Sequence, residues 1–259
     1  MKHSLRALRV SVQFLTRVPV PGGDQPATTQ DLRRAALFFP LVGTLIGLVT
    51  ASAVWGAAIL WPAWLAAVIG LAVEARLTGG FHEDAVADFF DAFGGGWTRD
   101  DVLRILKDSR IGSFGALALI LAILMRIGAI ATVAPLGAPL LFAALAASAG
   151  LGRWVILIQM ALLPPPTGQS SLARDIGQQL GLRDVAIGAL WALPGTVALC
   201  WLAPFQGLLA LIFLVVLTLV FHRTLKRRLG GATGDCLGCL CYLAQIAVLL
   251  AAAARMPVP

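Results

Sequence analysis

Asp84, Asp88 and Asp91 recur four and three residues apart inside the segment TGGFHEDAVADFFDAFGGGWTRDDVLRILKDSRI, residues 78–111. On a helix, at roughly 100° per residue, the three carboxylates fall within about 60° of one another. Val86, Phe89, Phe90 and Phe93 fall on the opposite face. The spacing therefore predicts a helix over 81–93, stopped by Gly94, Gly95 and Gly96, with a carboxylate stripe on one side and an apolar face on the other. Like charges at i, i+4 repel by a few tenths of a kcal/mol even when exposed. No Lys or Arg lies between Arg76 and Arg99 to relieve them. A hard divalent cation would, and Mg²⁺ is the ion that carboxylates commonly share with substrate phosphates. The expected metal ligands are Asp84, Asp88 and Asp91; the alternative is a merely solvated acidic face.

Two neighbours of the stripe have other prospects. His82 precedes it, nearer the apolar face, where a histidine is more often structural than catalytic. Glu83 points about 100° away from the stripe and is not expected to be a ligand. Downstream, Thr98 can cap a short helix with Asp101 three residues on. Lys107 and Arg110 then stand three residues apart and are expected to project to one side, Arg110 with a planar fork suited to phosphate. Anchoring at the membrane edge is their simpler reading. A second basic segment, RTLKRRLGGATGD at 223–235, combines Lys226, Arg227 and Arg228 with Gly230, Gly231 and Gly234, whose backbone N–H groups could cradle an anion. Asp235 is either a further metal ligand or an N-cap. Cys236, Cys239 and Cys241 offer three thiols without a nearby fourth ligand, so a small-residue helix face explains them better than zinc.

Such residues need a scaffold, and the composition says what kind. Of 259 residues, 59% are hydrophobic and 13% charged, with mean hydropathy +0.86. A soluble domain carries about 25% charged residues, so lipid must solvate much of this surface. The net charge of +7 does not point to nucleic acid, because the basic residues sit between apolar runs. Arg6, Arg9 and Arg17 interrupt any signal-peptide core. Seven spans are expected, at 38–58, 60–77, 113–133, 138–162, 184–203, 206–222 and 236–254, with Pro62, Pro139 and Pro204 at short connections. Residues 1–37 hold six Lys/Arg, 78–112 four, 163–183 two and 223–235 four, while the intervening connections hold none. The positive-inside rule then places those four segments in the cytoplasm and, with seven spans, the C-terminus outside. Leu5, Leu8, Val12, Phe14, Leu15 and Val18 could lay the N-terminal stretch along the bilayer, or it is a basic tail that only sets topology. Arg126, Arg153 and Glu74 fall within or near spans; Arg126 is expected to brace helices. The fold class is all-α: a polytopic transmembrane helical bundle of about seven spans with a cytoplasmic acidic helix, in a single integral membrane domain over 1–259.

The motifs LTGGFHEDAVADFFDAFGGG, ILKDSRIGSFG and LGGATGDCLG, in that order, resemble the cobalamin synthase (adenosylcobinamide-GDP ribazoletransferase) family, as do FLTRVPVP and FFPLVGTLIG near the N-terminus. Asp91-Ala92 departs from the Asp-Gly that family members often carry. The resemblance implies transfer of adenosylcobinamide phosphate from adenosylcobinamide-GDP to α-ribazole or its 5′-phosphate, with release of GMP. It implies Mg²⁺ dependence and a bacterial inner membrane location. In that chemistry Asp84, Asp88 and His82 are candidate catalytic groups, and Lys107, Arg110, Thr233, Gly234 and Asp235 candidate substrate contacts. A CDP-alcohol phosphotransferase would need an Asp-Gly-x-x-Ala-Arg motif, which Ala85-Val86-Ala87 replaces. A divalent-cation or organic-anion transporter would need carboxylates at mid-span depth, where this sequence has none. Neither partner nucleic acid nor a fixed homo-oligomer number follows from the residues.

Overall fold

The computed structural model describes residues 2–21, 27–164 and 180–255, and every described element is helical. In chain order these are α1 (Lys2–Leu15), α2 (Thr29–Ala36), α3 (Phe39–Ala57), α4 (Ala63–Thr78), α5 (Phe81–Gly95), α6 (Arg99–Ile105), α7 (Ser113–Val133), α8 (Ala138–Leu162), α9 (Leu182–Leu202), α10 (Pro204–Arg228) and α11 (Gly234–Ala252). Six of them, α3 and α7 to α11, are long and apolar enough to cross a membrane. The remaining expected span, 60–77, is the 16-residue α4. At 1.5 Å per residue it reaches about 24 Å, short of the roughly 30 Å hydrocarbon core. It passes a span's length only together with α5, from which it is bent by 91°. α5 turns sharply away from α4 at that bend and carries the acidic stripe with it.

The long central helix α8 is the hub. Its run Ala143, Ala144, Ala146, Ala147, Ser148, Ala149, Gly150 and Gly152 is buried, and small residues let helices approach closely where lipid supplies no hydrophobic drive between them. Gly47 of α3 faces it: a Cβ there would run into the Leu145 carbonyl and stand 3.0 Å from Ala146 Cα. The prolines act as expected. Pro62 is the N-cap of α4, and Pro139 and Pro204 sit in the first turns of α8 and α10, where the missing N–H costs nothing.

Three elements differ from the sequence expectation. α2 was not foreseen; its signal is a capping box in which Thr28 and Asp31 exchange hydrogen bonds. α10 does not end at 222 but continues to Arg228, because Arg, Lys and Leu are good helix formers and three cations in the last turn suit the negative end of the dipole. α6 ends at Ile105, with the chain closing in short turns (Lys107 N–H to Arg104 O 3.2 Å, Asp108 N–H to Ile105 O 2.9 Å). Lys107 and Arg110 thus lie in a loop and not on one helix face. Residues 165–179, most of the expected cytoplasmic segment 163–183, lie outside the described residues.

A buried polar knot locks the α4–α5 bend. Arg126 of α7 donates from Nη2 to both Glu74 oxygens, at 3.0 and 2.9 Å, and Thr50 Oγ1 donates to Glu74 Oε2 at 2.9 Å. The guanidinium lies 4.8 Å over the Tyr242 ring, and its Nη1 is 3.9 Å from Glu83 Oε1 on α5. Arg126 so braces α4, α5 and α11, as its sequence position led us to expect. Removing one partner of a buried pair strands the other charge at about 3–5 kcal/mol. Glu74→Gln is expected to lower unfolding stability on that scale; an unchanged thermal unfolding midpoint in detergent would show that the pair holds nothing together.

Candidate functional site

α5 starts from two glycines in the left-handed region, Gly79 (φ 77°) and Gly80 (φ 71°), which turn the chain sharply out of α4. Its N-cap, Gly80, offers no side chain to the first N–H groups. The helix splits as its periodicity demands. Val86 and Phe89 are buried; Phe89 stacks on Phe93 at 4.1 Å and on Phe221 of α10 at 4.8 Å between centroids. On the far side Asp84 is exposed and Asp88 and Asp91 are half-buried. Burial, then the charges of Asp84, Asp235 and Asp91, push the Asp88 carboxyl up to about 6. Asp235, in the first turn of α11, belongs to this electrostatic group, while Thr233 supplies the cap by accepting from the Cys236 N–H at 3.3 Å. Among the described residues no Lys or Arg forms an ion pair with Asp84, Asp88, Asp91 or Asp235.

Asp91 has a task the sequence did not suggest. Its Oδ2 accepts from Gly112 N–H at 2.6 Å and its Oδ1 from Gly115 N–H at 2.8 Å, so it caps α7 from a neighbouring helix. Each oxygen keeps a further lone pair. Among the described residues no three His, Cys, Asp or Glu side chains are gathered closely enough to hold an ion unaided. The donor set is nonetheless all hard oxygen, and a cation that takes one or two carboxylates and completes its shell with substrate phosphate and water fits it.

Two cavities flank the stripe. One of about 700 Å³ is lined by Asp84 and Ala87 of α5, by the Gly79–Gly80 turn and by Gln13 and Arg17 from the N-terminal segment. The other, about 420 Å³, includes Asp91, Asp108, Arg110 and Gly112; Ile111 lines both. Arg110 is thus brought beside the stripe, though its guanidinium is held by Asp108, at 2.7 Å. Lys107, Thr233, Gly234 and Asp235 line neither cavity.

His82 is buried, its ring edge-on to Phe81, and its Nε2 is enclosed without a hydrogen-bond partner among the described residues. Desolvation first, then Arg153 and Arg126, hold its pKa well below the ordinary histidine value. The glycine loop is also less free than its composition suggests. Gly230 N–H donates to Leu225 O at 3.1 Å and Ala232 N–H to Pro164 O at 3.1 Å. Arg228 donates to Gly96 O at 2.6 Å, fastening α10 to the end of α5. Cys236, Cys239 and Cys241 are buried free thiols in the α11 face, as a small-residue reading expects. The residues sequence reasoning passed over are Gln13 and Arg17; Arg17 lies within the motif FLTRVPVP, and no sequence signal marked Gln13.

Residues 7–253 match the family described as Cobalamin-5-phosphate synthase. The chain is 37% identical over 251 residues to the adenosylcobinamide-GDP ribazoletransferase of Ralstonia nicotianae, covering 96% of this chain and 95% of that protein. It is 35% identical over 251 residues to the enzyme of that name from Ralstonia pickettii, with the same coverage. To that from Shewanella baltica it is 34% identical over 238 residues, covering 92% of this chain and 89% of the relative. No solved structure matches the chain. With near-complete coverage on both sides and the acidic helix within the matched residues, the chain belongs to the cobalamin-5-phosphate synthase family.

Proposed function

We propose that this chain is an integral membrane adenosylcobinamide-GDP ribazoletransferase that works at the face of α5 bearing Asp84 and Asp88. The observation that supports it most is a row of carboxylates without cationic partners among the described residues, set between two cavities, in a chain whose relatives carry that name over nearly their whole length. A hydroxyl of α-ribazole, or of its 5′-phosphate, attacks the phosphorus that bears the cobinamide. A new P–O bond forms, the P–O bond to GMP breaks, and the hydroxyl proton leaves. Such transfers depend on positioning and on neutralising phosphate charge. Asp84 and Asp88 would hold Mg²⁺, with Asp91 as a third candidate ligand through its remaining lone pairs; when bound, the ion supplies charge neutralisation at the diphosphate. Arg110 stands at the second cavity, where release from Asp108 would free its fork for phosphate. The proton goes to a carboxylate of the stripe, since the His82 ring is enclosed. Purified protein given both substrates should release GMP and form the ribazole-bearing product in equal amounts. Absence of both, with correctly folded protein, would overturn the assignment.

We place the stripe on the cytoplasmic side of the bacterial inner membrane, on the alternation of Lys and Arg along the chain. With the short α4 returning the chain across a locally thinned bilayer as the seventh crossing, single cysteines introduced near Thr98 and Gly231 are expected to react only with a reagent presented from the cytoplasm, and a tag after Arg255 only from outside. Periplasmic labelling at either loop would separate the stripe from its cytoplasmic substrates.

A further inference from the structure

The N-terminal segment is fastened to the site and is not a tail. Phe14 stacks parallel on Phe39 at 5.4 Å and meets Phe81 edge-on at 5.6 Å. Thr16 bonds back to Val12 O through both its N–H, at 2.9 Å, and its hydroxyl, at 2.7 Å. Arg17 N–H then donates to Leu77 O at 2.7 Å, fixing its backbone beside the last turn of α4. Beyond it the chain is irregular through residue 20, where Pro19 bars a return to helix. The side chain lies across the α4–α5 turn: a Cβ on Gly79 would run into its Nε and stand 3.1 Å from its Cζ. Gly79 thus serves two needs, a left-handed φ and an empty place for the guanidinium.

From there Arg17 lines the 700 Å³ cavity that Asp84 also lines. Among the described residues Arg17 has no acidic partner, and Asp84 has no cationic one. A cation and an anion that share a cavity without pairing suit a ligand that is itself anionic and carries a metal. A volume of this size holds a small-molecule group, not a whole corrinoid. A planar guanidinium matches phosphate oxygens two at a time. A residue serving only as a topological charge needs neither a pinned backbone nor a cleared glycine beneath it.

We propose that Arg17 is a substrate-binding residue that grips the diphosphate of the nucleotide-bearing substrate, across the cavity from Asp84. This rests on the reaction assigned above for the identity of the ligand, but not for the presence of a phosphate site.

The test is equilibrium binding of GDP, in Mg²⁺-containing buffer, to the purified full-length protein. Arg17→Gln is expected to weaken binding about ten- to a hundredfold, the loss of a charged hydrogen-bonding pair. Arg17→Lys should retain part of it, and Gly79→Ala should weaken it by displacing the guanidinium. Arg9→Gln, an exposed cation of α1 away from the cavity, should bind as the wild type does. Equal GDP affinity of wild type and Arg17→Gln would overturn the proposal, as a lipid headgroup partner or a purely topological role would require. An equal loss at Arg9→Gln would overturn it too, by showing general attraction, and so would a wild type that does not bind GDP at millimolar concentration. Transfer with both substrates is measured on the same preparations. Arg17-dependent GDP binding without transfer would remove the reaction and leave the phosphate site standing.

Discussion

Asn in place of Asp84 or of Asp88 is expected to lower turnover a hundredfold or more at unchanged membrane abundance. Asn keeps the size of the side chain and its place on the helix but removes the charge a divalent ion needs, and even outer-shell partners of bound metals cost 10–100-fold when changed. The structure makes this contrast sharper than helical phase alone. Asp84 and Asp88 have no cationic partners among the described residues, so a loss there should fall on chemistry and not on folding. Glu83, beside them in sequence, is directed instead toward Arg126, 3.9 Å away. Glu83→Gln is therefore expected to act on abundance and thermal stability while each folded molecule keeps most of its turnover. Full activity in both Asn variants would leave the acidic face a solvated surface.

Gly115→Ala is expected to damage the site from behind. A Cβ at Gly115 would stand 2.6 Å from the Ala87 carbonyl and would run into the Asp91 carboxylate. Backbone cannot yield as a flexible side chain can, so α7 must move off α5. That would break the Asp91 bonds to Gly112 and Gly115. Overpacking and the loss of charge-assisted bonds together suggest a cost of about 2 kcal/mol or more, with turnover down at least tenfold. Gly128→Ala, on the same helix with open space around it, is expected to be neutral or slightly stabilising. Equal thermal midpoints for the two variants would show that the α5–α7 contact is looser than described. The same geometry separates Asp91 from its neighbours on the stripe. Asp91→Asn should lose a helix cap as well as charge, so added Mg²⁺ should restore less of its activity than it restores to Asp88→Asn.

The sequence carried what depends on local periodicity and little of what depends on distant contact. The two faces of α5 were readable because Phe89 and Phe93 recur at helical spacing opposite the aspartates. The α6 start was readable because Thr98 and Asp101 form a local capping box. Span ends were readable at Pro62, Pro139 and Pro204. What stayed hidden lies far apart in the chain. Asp91 caps a helix that begins 22 residues later at Ser113, and no local pattern distinguishes a capping aspartate from a ligand. Arg17 reaches Gly79, and comes to share a cavity with Asp84, only after α3 and α4 have returned the chain to it. Composition marked the glycine loop as free to turn, but could not show that the Gly230 N–H is bonded to Leu225 O. His82 sat ambiguously on the border of the apolar face, and packing against α11 placed it inside.

A metal-dependent role for the Asp84–Asp88 face is tested most directly by GMP release from adenosylcobinamide-GDP and α-ribazole as Mg²⁺ is titrated into metal-stripped protein, for the wild type, Asp84→Asn and Asp88→Asn. No release is expected without the ion, and saturation is expected for the wild type. The half-saturating Mg²⁺ concentration should be at least tenfold higher for the Asn variants, with activity partly restored at the top of the titration. Release by stripped wild-type protein at its full rate, or one half-saturating concentration shared by all three proteins, would contradict that role.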